Sequence, residues 1–116
     1  MIRKKEECKV EYREHMREGD GTVEIANFVN SPEELNGKGR MFSCMTLEPG
    51  SSIGYHVHEN DSELFYILSG TAEYNDNGTI VELAPGDVTL CPAGTGHGIA
   101  NRGEVTLKLV ALILYK

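Results

Sequence analysis

From Arg40 to the end of the chain, apolar and polar residues alternate in short runs separated by glycine, proline and asparagine. Successive side chains on a strand point to opposite faces, so a period of two marks strands. RMFSCMTL runs to Glu48-Pro49-Gly50, SIGYHVH to the polar loop from Glu59 to Ser62, and ELFYILSG to Gly70. TAEYN and TIVEL flank Asp76-Asn77-Gly78, and Asn-Gly between alternating segments is a strong hairpin signal. Ala84-Pro85-Gly86-Asp87 turns the chain into VTLCP, Ala93-Gly94-Thr95-Gly96 into HGIAN, and Asn101-Arg102-Gly103 precedes EVTLKLVALILYK. Roughly seven short strands at about ten-residue spacing predict an all-β sandwich or barrel rather than βαβ units.

The first 40 residues predict flanking strands and one helical turn. Cys8, Val10 and Tyr12 alternate as in a short edge strand, and a turn at Gly19-Asp20-Gly21 leads into the strand TVEIANFV. Ser31-Pro32-Glu33-Glu34 reads as a helix start with Ser31 as N-cap, Pro32 at the first position and Glu34 closing a capping box. Asn36-Gly37 ends it after a single turn, the only helix expected.

Two strands are apolar on both faces. Glu63, Phe65 and Ile67 oppose Leu64, Tyr66 and Leu68; Leu107, Leu109, Ala111 and Ile113 oppose Val110, Leu112 and Leu114. A strand of this kind is covered on both sides, by a second sheet or a partner subunit, and the surplus predicts a homodimer.

Composition narrows the function classes. At 116 residues, with 40% hydrophobic and 25% charged residues, the chain reads as one globular domain over 1–116. A formal charge of −7 makes a phosphate backbone an unfavourable partner, so nucleic acid is not expected. Arg3, Lys4 and Lys5, followed at once by Glu6 and Glu7, read as a solvated terminus. The longest apolar run, Leu109 to Tyr115, is far short of the roughly 20 residues that span a bilayer, and no secretory signal opens the chain. Cys8, Cys44 and Cys91 are odd in number and widely spaced, which favours reduced thiols and a cytoplasmic location.

The candidate chemistry lies in GSSIGYHVHENDSELFYILSG, from Gly50 to Gly70. His56 and His58, two apart on a strand, share one face, and Glu63 follows a loop later; His97 is a fourth candidate in another turn-rich segment. Two imidazoles and a carboxylate with open positions suit a first-row divalent metal, whereas a closed structural zinc site more often uses cysteine. His15, in YREHMREGD, reads as an ordinary surface or hydrogen-bonded histidine, and Glu59 and Asp61 as solvent-facing loop acids. Phe65, Ile67 and Ile99, inward beside the ligands, predict an apolar pocket, and Gly54 predicts an open wall beside the metal.

The pattern Gly50, five residues, His56-Val57-His58, four residues, Glu63, six residues, Gly70 resembles the first motif of the cupin superfamily at every fixed position. Gly86, five residues, Pro92-Ala93-Gly94, two residues, His97, three residues, Asn101 resembles the second, and fifteen residues lie between the two, as in small single-domain prokaryotic cupins. The resemblance implies a double-stranded β-helix, or jelly roll, in which His56, His58, Glu63 and His97 hold one divalent transition metal, with Mn, Fe, Ni, Zn and Cu all open. It implies scaffold roles for Gly50, Gly70, Gly86, Pro92, Gly94 and Asn101. The general look is similar to cupins of the oxalate-decarboxylase-like and phosphomannose-isomerase-like groups. A small metalloenzyme acting on a carboxylate, sugar or phenolic compound, of decarboxylase, isomerase or dioxygenase type, is the leading expectation. A metal-dependent small-molecule binder or sensor without turnover is the alternative.

Overall fold

A computed structural model describes residues 1–116 as ten strands and three 3-10 turns, with no α-helix. The strands are β1 (Lys9–Glu14), β2 (Thr22–Asn27), β3 (Gly39–Leu47), β4 (Ser52–Val57), β5 (Asp61–Ser69), β6 (Ala72–Asp76), β7 (Thr79–Leu83), β8 (Val88–Cys91), β9 (Gly96–Ala100) and β10 (Leu107–Tyr115). Every pairing is antiparallel. A six-stranded sheet, β1-β2-β3-β10-β5-β8, faces a four-stranded one, β4-β9-β6-β7. This is the expected jelly roll, extended along one sheet by β1 and β2. No helix is long and apolar enough to cross a membrane.

The core sits between the sheets because alternation sends every second residue inward. On β3, Met41, Ser43, Met45 and Leu47 are buried; on β10, Leu107, Leu109, Ala111 and Ile113 are. Each large apolar side chain withdrawn from water here contributes roughly 1.5–3 kcal/mol. The hairpin forms where Asn-Gly predicts it: Asp76 pairs with Thr79, and both Asn77 (φ 50°) and Gly78 (φ 103°) adopt the left-handed backbone such two-residue turns require.

The helical turn also forms, as a 3-10 turn over Pro32–Leu35 that Asn36 ends in the left-handed region, but the Ser31 side chain makes no capping bond. Two further 3-10 turns, Lys5–Glu7 and Met16–Glu18, occur where no helix is expected. The second crosses β4 and matters for the site.

The outer face of the six-stranded sheet is only partly covered. Tyr66 and Leu68 on β5 and Val88 and Leu90 on β8 are about half exposed, as are Val10 and Tyr12 on β1.

Candidate metal centre

His56 lies in β4, directly opposite His97 of β9, and His58 follows just beyond the end of β4. Glu63 reaches the same point from β5, on the facing sheet. The pairing of β4 with β9 shifts register between Ile53 and His56. His58 is held by its main chain, donating from N to Thr95 O and accepting from Gly94 N. The turn Ala93 to Thr95 thus ties the two motif segments together. His97, His58 and Glu63 are buried and His56 half-buried.

The four donor atoms lie within 4.8 Å of one another. His58 Nε2 is 3.1 Å from both Glu63 Oε1 and His97 Nε2, and His97 Nε2 is 3.0 Å from that oxygen. His56 Nε2 lies 4.0 Å from it. Donors held about 2.1 Å from an ion at right angles stand about 3.0 Å apart, so three of these separations match edges of a metal's coordination shell.

The outer nitrogens explain why the inner ones converge. His56 Nδ1 donates to Gly54 O at 2.8 Å and His58 Nδ1 to Asp61 Oδ1 at 2.7 Å. Carbonyl and carboxylate oxygens only accept, so these Nδ1 atoms carry the protons and each neutral ring turns a lone pair inward from Nε2. His97 Nδ1 lies 2.8 Å from the Tyr74 hydroxyl, and burial pushes that phenol up to about 12, keeping it neutral. Inward lone pairs facing a buried carboxylate repel unless a cation or proton lies between them. The residues therefore fit a divalent metal.

Electrostatics agree. Burial pushes the Glu63 carboxyl up, but without a metal a proton on His58 or His97 shared with it outweighs burial and holds it below its ordinary value. Glu63, which would accept a hydrogen bond from a protonated Nε2, raises His58, with burial opposing and Asp61 adding to the rise. His56 is lowered, chiefly by burial, with the charges of His97 and Arg17 contributing.

All four predicted ligands come together. The predicted pocket residues sit otherwise. Phe65 stacks flat on His97, centroids 5.0 Å apart and 16° between planes, and backs the ligand rather than lining an opening. Ile67 and Ile99 are buried in the core behind it. Gly54 leaves no open wall: a Cβ there would run into the main-chain oxygen of Arg17, because the Met16–Glu18 turn lies across β4 at that point. Its missing side chain makes room for backbone, not for a ligand. The cavity beside the ligands is lined by Arg13, Met16, Arg17, Arg40, Met41, Met45, Ile53 and Ile113.

Two partners of the cluster lie outside the predicted set, and the pattern of the chain marks one of them. Asp61 is buried, orients His58 and pairs with Arg40 Nε at 2.9 Å, contrary to its reading as a solvent-facing acid. Because β5 begins at Asp61, period-two alternation puts it on the same face as Glu63, a signal lost when the strand is started two residues late. Glu59 is exposed, as expected. Tyr74 had no comparable signal, since it meets His97 only across the β6–β9 pairing.

The model of the Cupin domain matches residues 43–113. The chain belongs to the cupin family. Along 98% of its length this cupin is 40% identical to a Thermotoga maritima protein named oxalate-binding protein, covering 93% of that relative. A crystal structure from Thermotoga maritima, described as a predicted oxalate decarboxylase, superposes with a TM-score of 0.94 at 39% identity over 100% of both chains. This cupin is also 29% identical, over 66% of its length, to a mannose-1-phosphate guanylyltransferase of Salmonella typhimurium, but spans only 16% of that enzyme. A Thermus thermophilus structure, TM-score 0.70 at 24% identity and covering 80% of this chain and 83% of that one, shares the fold alone.

Proposed function

We propose that this cupin holds one divalent transition metal on His56, His58, Glu63 and His97 and with it binds a small carboxylate anion of the oxalate type. The observation that carries this reading is the lining of the cavity beside the ligands. Arg13, Arg17 and Arg40 line an opening at which Glu63 is the one acidic lining residue. Arg40 is paired with Asp61 and Arg13 with Glu11. Arg17 is left as an unpaired cation beside the ligand cluster in a chain of net charge −7, which suits a compact anion. A bound metal with open positions would add a Lewis acid for a carboxylate oxygen. The Thermotoga maritima relative, named for oxalate binding, supports the same ligand class.

Outside the ligand set the lining offers arginine, methionine and isoleucine, with no carboxylate, imidazole or phenol to move a proton. That favours binding without turnover, although sequence reasoning leans towards an enzyme. The metal-loaded protein is expected to bind oxalate with a stoichiometry of about one per chain in titration calorimetry, and chelator-stripped protein not at all. Carbon dioxide release from oxalate, or dioxygen uptake, would replace this reading with the enzyme; no heat of binding would remove the ligand class.

The free thiols Cys8, Cys44 and Cys91 support a cytoplasmic location. The exposed apolar residues on β5 and β8 support a homodimer that covers the outer face of the six-stranded sheet. Sedimentation at micromolar concentration is expected to give about twice the chain mass of 12.8 kDa; a clean monomer would remove the dimer.

A further inference from the structure

We infer that Arg17 grips the second carboxylate of the ligand and so makes the site selective for dicarboxylates over monocarboxylates. The inference rests on the metal-dependent carboxylate reading above and adds to it the residue that discriminates.

Arg17 belongs to the strap that joins β1 to β2, built on the Met16–Glu18 turn. Three residues of the strap, His15, Arg17 and Glu18, take the left-handed backbone, at φ 50°, 53° and 65°, a conformation that costs a non-glycine residue energy and persists only where the surroundings hold it. Here they do. Ser52 N donates to Asp20 O at 2.9 Å and Asp20 N to Ser52 Oγ at 2.8 Å. Gly19 and Gly54 have no side chains where the strap and β4 cross, and a Cβ on either would strike main-chain oxygen, of Ser52 and Arg17 respectively. The main chain of Arg17 is therefore seated on the strand that carries His56, two residues before it.

The three arginines of the cavity are not equivalent. Arg40 is committed to Asp61 at 2.9 Å and Arg13 to Glu11 at 2.7 Å. The Arg17 side chain makes no hydrogen bond or ion pair within the chain, yet it lines the same cavity as His56, His58 and Glu63. A planar guanidinium offers paired donors that match a carboxylate in two parallel bonds. A monocarboxylate held at the metal ligands has nothing left for that fork; a dicarboxylate does. The free space between is about 30 Å³, room for about two water-sized groups, with Met16, Met41 and Met45 around it. So small a space disfavours longer dicarboxylates.

The test is calorimetry on metal-loaded protein with oxalate and with formate. Arg17→Gln is expected to weaken oxalate by about tenfold or more while formate changes less than about threefold, the span of one charge-assisted hydrogen-bond pair. Metal content should remain at about one ion per chain. Arg17→Lys, which keeps the charge but loses the fork, should recover part of the loss. Arg102→Gln removes an exposed arginine paired only with Glu73 and makes the same change in net charge; it should leave oxalate affinity unaltered. Equal loss of oxalate and formate in Arg17→Gln, loss of its metal, or unchanged oxalate affinity would each overturn the inference. Unaltered protein that binds neither acid would instead fail the carboxylate reading itself, before any variant is compared.

Discussion

Purified His58→Ala protein is expected to carry almost no transition metal, against about one ion per chain in the unaltered protein, when both are grown in supplemented medium and measured by elemental analysis. His58 Nε2 stands 3.1 Å from Glu63 Oε1 and from His97 Nε2, so its loss removes a donor from the middle of the cluster rather than from its rim. His15→Ala should leave metal content unchanged, because His15 Nδ1 lies against Gly19 O in the strap and not among the donors. Acid should imitate the His58 substitution. The metal needs neutral imidazole, and Glu63 and Asp61 raise His58 above its ordinary 6.5, so protons compete for this nitrogen from a higher pH than for a free histidine. The rise in melting temperature on adding metal should therefore be largest above that range and shrink as pH falls through it. Full metal content in His58→Ala would sink the four-ligand centre.

Asp61→Ala is expected to lower metal affinity by about 10–100-fold, measured by competition with a chromogenic chelator. Asp61 is not one of the four converging donors. It accepts the His58 Nδ1 proton at 2.7 Å, which fixes the ring with Nε2 inward, and is itself held by Arg40 at 2.9 Å. Burial works against its charge, yet His58 and Arg40 outweigh it and keep the carboxyl below its ordinary value. Truncation frees the ring to rotate and leaves Arg40 without its partner beside the cavity. Asp61→Asn keeps an acceptor and should lose less. An affinity within about twofold of the unaltered protein in Asp61→Ala would show that the ring is oriented by its main chain alone.

The contrast between Asp61 and Tyr74 shows how far local pattern reaches. Asp61 follows the same period of two as Glu63, but a strand begun at Glu63 leaves it in the loop. Tyr74 reads as one more apolar position of a hairpin strand until β6 is laid beside β9. Gly54 carried a true signal, a position that refuses a side chain, but what fills the space is the main chain of Arg17, 37 positions earlier in the sequence.

The sequence by itself determined the all-β class, the turns and the four residues of this cupin that converge into a cluster able to hold a metal ion. These follow from interactions over a few residues: alternation decides which face a side chain takes, and Asn-Gly and the other glycine turns decide where a strand ends. Tertiary structure alone decided which residues surround the ligands. The strap from β1 to β2 crosses β4 through paired glycines and brings Met16 and Arg17 to an opening that the strand pattern assigned to Phe65, Ile67 and Ile99. Such contacts join segments far apart in the chain, and no periodicity along the chain records where a connection between two strands will come to rest on a third.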